Sequence, residues 1–255
     1  MAGAVGSGAT IKTAAEVEAM RTGGKMLAQV LQYLADEMAV GMTTDELDQL
    51  AAHEVKRLGG APAFLGHQGF PKSICISVND EVVHGIPGKR RLKIGDVVGL
   101  DFGVRYDGML TDSAVTVSLG DAKASIRRLL NSTQAALMVG IDQAVSGGRV
   151  GDISAAVQRY LVQANLGIIR ELAGHGVGRD LWEEPQIPNY GRAGTGAVLK
   201  PGMTVAIEPM ATLGSPEIKV LGDKWTIATR DGSLAAQFEH TILITDGPPE
   251  ILTRV

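Results

Sequence analysis

The sequence predicts an α+β fold in which one helix–helix–strands unit is used twice. Two capping boxes open amphipathic helical runs, and β-branched runs flank an Asp-Gly turn. The same order of elements then returns, with matching residues, after a shift of 107 positions. A duplicated unit of this kind brings its strands together and leaves its helices outside.

The elements follow in order. Thr13-Ala14-Ala15-Glu16 has capping-box spacing, with the Glu three residues after the hydroxyl. Behind it Val17, Met20, Met26, Leu27, Val30, Leu31 and Leu34 recur at helical spacing until Gly41 stops the run. Thr43-Thr44-Asp45-Glu46 opens a second helix with Leu47, Leu50, Val55 and Leu58, closed by Gly59-Gly60. Strand patterns take over at 73–78, 97–106 and 109–118, and Asp107-Gly108 between the last two signals a two-residue hairpin. Helical patterns return at about 122–145 and 152–165, and strand-like runs follow at 203–208, 225–229 and 237–245.

Under the 107-residue shift Gly41 falls on Gly148, Asp45 on Asp152 and Val55 on Val162. Helix starts look alike, so these matches decide little. Leu92-Lys93-Ile94-Gly95 falling on Leu199-Lys200-Pro201-Gly202, with Val98 on Val205 and Asp101 on Glu208, is far harder to reach by chance. Each half therefore delivers a carboxylate from the same position. One domain is expected over 13–255, with halves of about 13–120 and 121–255. Met1 to Thr10 is small and Gly/Ala-rich, so residues 1–12 read as a flexible N-terminal tail.

A chain of 255 residues buries a substantial core, and 45% apolar with 20% charged residues is ordinary for a soluble globular protein. The formal net charge of −4 gives no global basic field for DNA. Lys89-Arg90-Arg91 with Lys93 reads as a solvated loop. Cys75 is the only cysteine, which rules out an internal disulfide and fits a reducing compartment. No signal or transit peptide is seen, and no stretch of about 18 apolar residues that would span a membrane. The expected location is cytoplasmic, with no membrane partner.

If Asp107-Gly108 is a two-residue turn, Asp112 lies opposite Gly103. Asp101, two residues from Gly103, then shares the face of Asp112 and sits diagonal to it. Two carboxylates aimed together among Val97, Val98, Leu100, Phe102 and Val104 repel each other and lose hydration, a cost that a cation offsets most simply. Glu208, in Val205-Ala206-Ile207-Glu208-Pro209-Met210, and Glu239, before His240-Thr241-Ile242, sit in equally apolar runs. For any one acid, a strand-end carboxylate with local hydrogen bonds is the alternative. Four in strand interiors of a duplicated fold weigh against that reading for all of them. Their charge is neutralised by two divalent cations, and oxygen-rich ligands with one or two imidazoles suit Mn, Fe, Co or Zn.

The imidazole candidates are His175, in Gly174-His175-Gly176-Val177-Gly178-Arg179, and His84, in Val83-His84-Gly85-Ile86-Pro87. Glycine density around His175 suits a chain that passes close to something; a satisfied loop histidine is the alternative. His53 falls on a helix surface, and His240 points opposite to Glu239, outside the metal shell. A cysteine nucleophile fails because Ile74-Cys75-Ile76 is an apolar strand that raises the thiol pKa, and no Gly-x-Ser-x-Gly elbow exists. Metal-activated water, with a carboxylate to move its proton, is the better nucleophile.

Together, His84-Gly85-Ile86-Pro87, Asp101 with Asp112, the Gly174–Arg179 run, Ile207-Glu208-Pro209-Met210 and Glu239-His240-Thr241 resemble the short bacterial type I methionine aminopeptidases, from about Thr13 to the end. The resemblance implies the pita-bread fold, a pseudo-two-fold curved antiparallel sheet covered by helices. It implies Asp101, Asp112, His175, Glu208 and Glu239 as ligands of two divalent metal ions (Co, Mn, Fe or Zn). Glu208 would also be the proton shuttle for a bridging water, and His84 would contact the substrate near the scissile amide. Phe64, Phe70, Cys75 and Trp225 fall where the family builds its pocket for the methionine side chain, with plain core packing as the alternative for Phe64 and Phe70. The implied partners are peptide and nascent-chain N-termini, met by a monomer, with a ribosome contact left open. X-Pro aminopeptidases and prolidase-like enzymes share the five ligands but usually lack the His-Gly-Ile-Pro and Glu-Pro-Met contexts.

One position departs from the family. Its motif runs Gly-His-Gly-x-Gly-Arg-x-x-His-Glu, and here the second histidine, which usually approaches the substrate carbonyl, is Trp182. An indole N–H donates a hydrogen bond but transfers no proton at neutral pH. Either Trp182 substitutes as a donor and packing element of the substrate site, or it alters turnover or the preference for the residue after methionine. A catalytically impaired binding module on the same fold is the competing reading.

Overall fold

The computed structural model describes residues 8–254. Both capping boxes form. Glu16 accepts from the Thr13 N–H at 2.7 Å while Thr13 Oγ1 accepts from the Glu16 N–H, opening α1 (Ala14–Glu37). Thr43 and Glu46 do the same for α2 (Thr44–Arg57). In the second half α3 (Ala124–Ile141) is shorter than the pattern at about 122–145, while α4 (Val150–Gln163) keeps the expected length but starts and ends two residues earlier than the pattern at 152–165.

Seven strands position the site: β1 (Cys75–Val78), β2 (Val97–Tyr106), β3 (Met109–Ser118), β4 (Ala173–Gly176), β5 (Glu183–Pro188), β6 (Thr204–Ile207) and β7 (His240–Leu243). The hairpin forms in the expected register. Asp107 and Gly108 both take left-handed φ (46° and 78°), the twist that suits a tight hairpin, and Gly103 pairs with Asp112. β1, β2 and β3 lie side by side; the second half runs β5-β4-β6-β7. The halves join where Ala114 bridges Glu239, with the Glu239 N–H donating to the Ala114 carbonyl at 2.9 Å. Thr241 Oγ1 secures the seam by donating to the Asp112 carbonyl at 2.7 Å.

Each half has its own core. In the first, Leu27, Leu34, Leu47 and Val55 from α1 and α2 pack on Ile76, Leu100 and Phe102. In the second, Leu137, Ile153 and Leu161 pack on Val205, Ile207 and Ile242. A third cluster at the seam gathers Met20, Phe64, Phe70, Cys75, Val177 and Leu243.

The duplication is present, but the helices slip by one residue against the expected shift. α2 and α4 each have 14 residues, so Thr44 corresponds to Val150. Glu46, not Asp45, is the counterpart of Asp152, which accepts from the Arg149 N–H at 2.8 Å. Gly41 matches Gly147: they donate to the carbonyls of Leu92 and Leu199 at 2.8 and 3.0 Å. Val55 matches Leu161, both fully buried, whereas Val162 is 60% exposed. In the strand approach the shift of 107 holds, and the turn hydrogen bonds Asp96 to Lys93 and Met203 to Lys200 are both 3.1 Å. Gly147-Gly148 offers a glycine at either shift, which hid the slip.

The Gly174–Gly176 stretch makes the close approach that its glycines suggested, and does so as a strand rather than a loop, while two further expectations change. A Cβ on Gly174 would lie 2.3 Å from the Ala206 carbonyl oxygen, and one on Gly176 as close to that of Glu184, so the glycines admit neighbouring strands. Glu208 and Glu239 are not in strand interiors. Each sits in a short break, after β6 and before β7, where Pro209 has no N–H to donate and Glu239 is drawn across to Ala114. Finally, residues 8–12 are not a free tail: Lys12 is 6% exposed and its N–H donates to the Gly202 carbonyl at 2.8 Å. The rest of the expected tail, 1–7, lies outside the described residues. Among the described residues no helix is long and apolar enough to cross a membrane.

Candidate metal centre

The four acids converge from both halves. Asp101 comes from the middle of β2, Asp112 from β3, Glu208 from the break after β6 and Glu239 from the break before β7. Asp101 and Glu208 are 8% exposed, Asp112 4% and Glu239 2%. Asp112, His175 and Glu239 each offer a ligand atom within 4.8 Å of the others, and Glu208 Oε1 lies 3.5 Å from His175 Nε2. Asp101 shares the face of Asp112 through the hairpin register.

These carboxylates are not satisfied by the protein. Asp101 Oδ1, Asp112 Oδ1 and Glu239 Oε1 are buried without a hydrogen-bond partner among the described residues. Burial pushes Asp101 up to about 7. Burial, then the charges of neighbouring acids, hold Asp112, Glu208 and Glu239 well above the usual carboxylate range. Unpaired buried carboxylates are costly and rare, and a group of them fits a cation better than any hydrogen-bond network. His175 is prepared for the same role. Its Nδ1 donates to the Gly176 carbonyl at 2.9 Å, leaving the Nε2 lone pair toward the acids, and burial pulls its pKa to about 4. Carboxylate oxygens with one imidazole suit Mn, Fe, Co or Zn, so the residues fit the expected ions.

Sequence reasoning missed the groups that steady Glu208. Gln237 Nε2 donates to Glu208 Oε2 at 3.2 Å, and Asn189 Nδ2 donates to the Glu208 carbonyl at 3.0 Å. Gln237 stands two residues before Glu239, a spacing that signals a common face.

The acids form one end of a cleft of about 710 Å³ that Phe64, Phe70, Cys75, His84, Trp182 and Trp225 also line. Phe70 and Trp225 meet edge to face at 5.2 Å. Gly103 makes room for Phe64, whose Cε1 would lie 2.7 Å from any Cβ there. His84 is held at a left-handed φ of 59°, and burial pulls its pKa to about 4. Gly85 beside it lets the chain press on Ile76, whose carbonyl oxygen would lie 2.2 Å from a Cβ. Burial and the nearby acids push the Cys75 thiol well up, the opposite of a nucleophile. His240 turns away to Thr253 Oγ1 at 2.9 Å, and His53 is exposed. Trp182, 42% exposed, stands at the cleft mouth, with its ring 4.9 Å from His67 and 6.4 Å from His175. His67, which the sequence reading passed over, also lines the cleft.

The family model for metallopeptidase family M24 matches residues 18–246. The chain belongs to metallopeptidase family M24. Within M24, the methionine aminopeptidase 1 of Bacillus subtilis is 46% identical over 244 residues, covering 96% of this chain and 98% of its own. The crystal structure of a methionine aminopeptidase from Thermotoga maritima matches with TM-score 0.96 at 42% identity, over 97% of this chain and all of that one. Prolidase from Pyrococcus furiosus matches with TM-score 0.79 at 22% identity, over 96% of this chain and 65% of that one, a likeness of fold alone. The M24 architecture is the pita-bread fold that the family resemblance implied, and it agrees with the duplicated α+β pattern.

Proposed function

We propose that this M24 peptidase removes the N-terminal methionine from peptides and nascent proteins, with Asp101, Asp112, His175, Glu208 and Glu239 holding two divalent cations. The observation that carries the reading is the group of buried carboxylate oxygens without partners, gathered from both halves at one end of an aromatic-lined cleft. Such cations, when bound, polarise the scissile carbonyl and make water acidic enough to attack at neutral pH.

The chain's own residues supply the rest. Glu208 takes the proton from the attacking water and returns it to the leaving amine; Gln237 fixes one of its oxygens so that the other faces the reacting centre. His84, neutral because it is buried, donates a hydrogen bond near the scissile amide. The edge-to-face pair of Phe70 and Trp225, with Phe64 and Cys75, forms an apolar pocket for the methionine thioether, which binds well against aromatic edges. Trp182 provides a donor and a wall at the mouth but no titrating group.

The test is release of free methionine from Met-Ala-Ser with Mn, Co or Fe added, and Ala-Pro peptides offered in parallel. Methionine release is expected. Cleavage of Ala-Pro alone would move the chain to the X-Pro enzymes. No release with any metal, despite two ions bound, would make it a binding module. Trp182→His should raise the rate on Met-Ala or Met-Gly peptides if Trp182 limits turnover.

A further inference from the structure

Lys12 is a buried lysine that the metal centre does not use. Its side chain is 1% exposed and its Nζ lies 2.5 Å from Glu183 Oε2, on a carboxylate only 6% exposed. Thr10 Oγ1 donates to the same oxygen. The other oxygen, Oε1, accepts the N–H groups of Arg179 and Asp180 at 2.6 and 3.1 Å. Both oxygens of Glu183 are thus engaged from opposite sides, and the carboxylate has no freedom to turn.

The lysine reaches this place through a slot in the glycine-rich run. A Cβ on Gly178 would lie 2.3 Å from Lys12 Cε, so only a glycine there admits the side chain. A second tie runs parallel: Arg179 Nε and Nη2 hold Glu16 of α1 at 2.6 and 2.9 Å. Residues 10–16 therefore strap the loop Arg179–Trp182, which leads from His175 to the cleft mouth and ends on the rim residue Trp182. A buried ion pair is a poor source of net stability, because desolvating both charges offsets their attraction. What it supplies is a fixed direction, here for the carboxylate that caps the loop.

We propose that Lys12 is a positioning residue for the substrate cleft: through Glu183 it fixes the Arg179–Trp182 loop and holds Trp182 where the substrate chain leaves the metal end. The proposal rests on the aminopeptidase reading. Trp182 is 42% exposed, whereas Phe64, Phe70 and Cys75 are 7%, 4% and 4% exposed, so the loop governs the mouth and not the apolar pocket.

Lys12→Met and Glu183→Gln in the full chain test this, with Mn added. Lys12→Met should raise KM for Met-Ala-Ser about tenfold and change kcat by less than about threefold. Amide exchange at Arg179 and Asp180 should speed up roughly tenfold while Val205 and Ala206 stay protected. Mn stoichiometry by calorimetry should match the unsubstituted protein, since no ligand is touched. Glu183→Gln keeps an acceptor for the two amides and should show a smaller rise in KM; it carries the test if Lys12→Met does not fold. An unchanged KM in the folded variants, or unaltered exchange at 179 and 180, would overturn the proposal. If the unsubstituted protein binds Mn yet releases no methionine, the aminopeptidase reading falls, and the exchange rates alone still decide whether Lys12 positions the loop.

Discussion

The two halves present nearly the same backbone and different chemistry. In the first, Asp101 faces Ala114, and Asp112 faces Gly103. In the second, Ile207 pairs with His240 and Met210 with Gln237, a register that sets Glu208 opposite Glu239. Gln237 thus stands where the first half has Asp112, and Glu239 stands where it has Ala114. The flanking strand differs in the same way: Ser77 pairs with Gly99, and its counterpart His175 pairs with Ala206. Ser77 Oγ accepts from the Gly85 N–H, a structural duty, while His175 turns its free nitrogen to the acids. Duplication supplies a symmetric frame, and exchange of acid for amide and of imidazole for hydroxyl makes the centre lopsided. One half offers two acids on a diagonal, the other two acids face to face beside a histidine.

The largest effect should come from breaking the set of acids. Asp101→Ala, Asp112→Ala or Glu239→Ala should abolish normal metal stoichiometry and lower kcat/KM by about a thousandfold or more, with the circular dichroism spectrum largely retained. Two tightly bound metals after any of these changes would remove that residue from the ligand set.

The metal-free protein should show the cost of gathering the acids. Asp101 is held at about 7 against an ordinary 3.8, so the folded state binds its proton more tightly than the unfolded state. Its effect is therefore a loss of stability as pH rises through that window. His84, His175 and His240, pulled down to about 4 from 6.5, act in the opposite sense and lose stability as pH falls. Asp101→Asn removes the first contribution and also the charge that helps hold Asp112, Glu208 and Glu239 up, so both changes act in the same direction and leave the histidine contribution in place. That variant, with metal chelated, should melt above the unsubstituted protein at pH 8 and level with it at pH 4. A gap that does not change with pH would mean that the Asp101 carboxyl is not the titrating group.

The one-residue slip between the helices is open to a stability test. Leu161→Ala should cost about 2–5 kcal/mol in urea unfolding. Val162→Ala, on the exposed side, should stay within about 0.5 kcal/mol. Equal costs would restore the shift of 107 through the helices.

Smaller effects distinguish the copies further. Gln237→Ala frees one oxygen of Glu208 and should lower kcat by about 10–100-fold with the metals still bound. Its partner in the frame, Asp112, should not tolerate loss in this way. Thr43→Ala removes a side-chain cap and should cost about 1 kcal/mol. Arg149→Ala should cost less, because the cap there is made by the Arg149 N–H and the Asp152 carboxylate.

Much of this is legible in the sequence. The capping boxes, the Asp107-Gly108 turn and the pairing of Asp112 with Gly103 follow from local rules, because each depends on a few neighbouring residues. That the glycines at 174 and 176 admit a close neighbour was legible, but that the stretch is a strand pressed by the carbonyls of Ala206 and Glu184 was not, because those contacts come from other strands. Gln237 escaped notice because its value lies in one hydrogen bond to a residue 29 positions away. Lys12 escaped for the same reason at a greater distance, with Glu183 lying 171 positions on.

The sequence by itself determined the duplicated order of elements, the identity of the acids and the family resemblance. Periodicity, caps and motif spacing are properties of short stretches and survive without a fold. Tertiary structure alone decided which oxygens remain without a partner, which copy of each position carries the chemistry, and how residues 10–16 are tied to Arg179 and Glu183. Those outcomes depend on burial and on contacts across more than a hundred residues, where the free energy of a charged group is set by what packs around it.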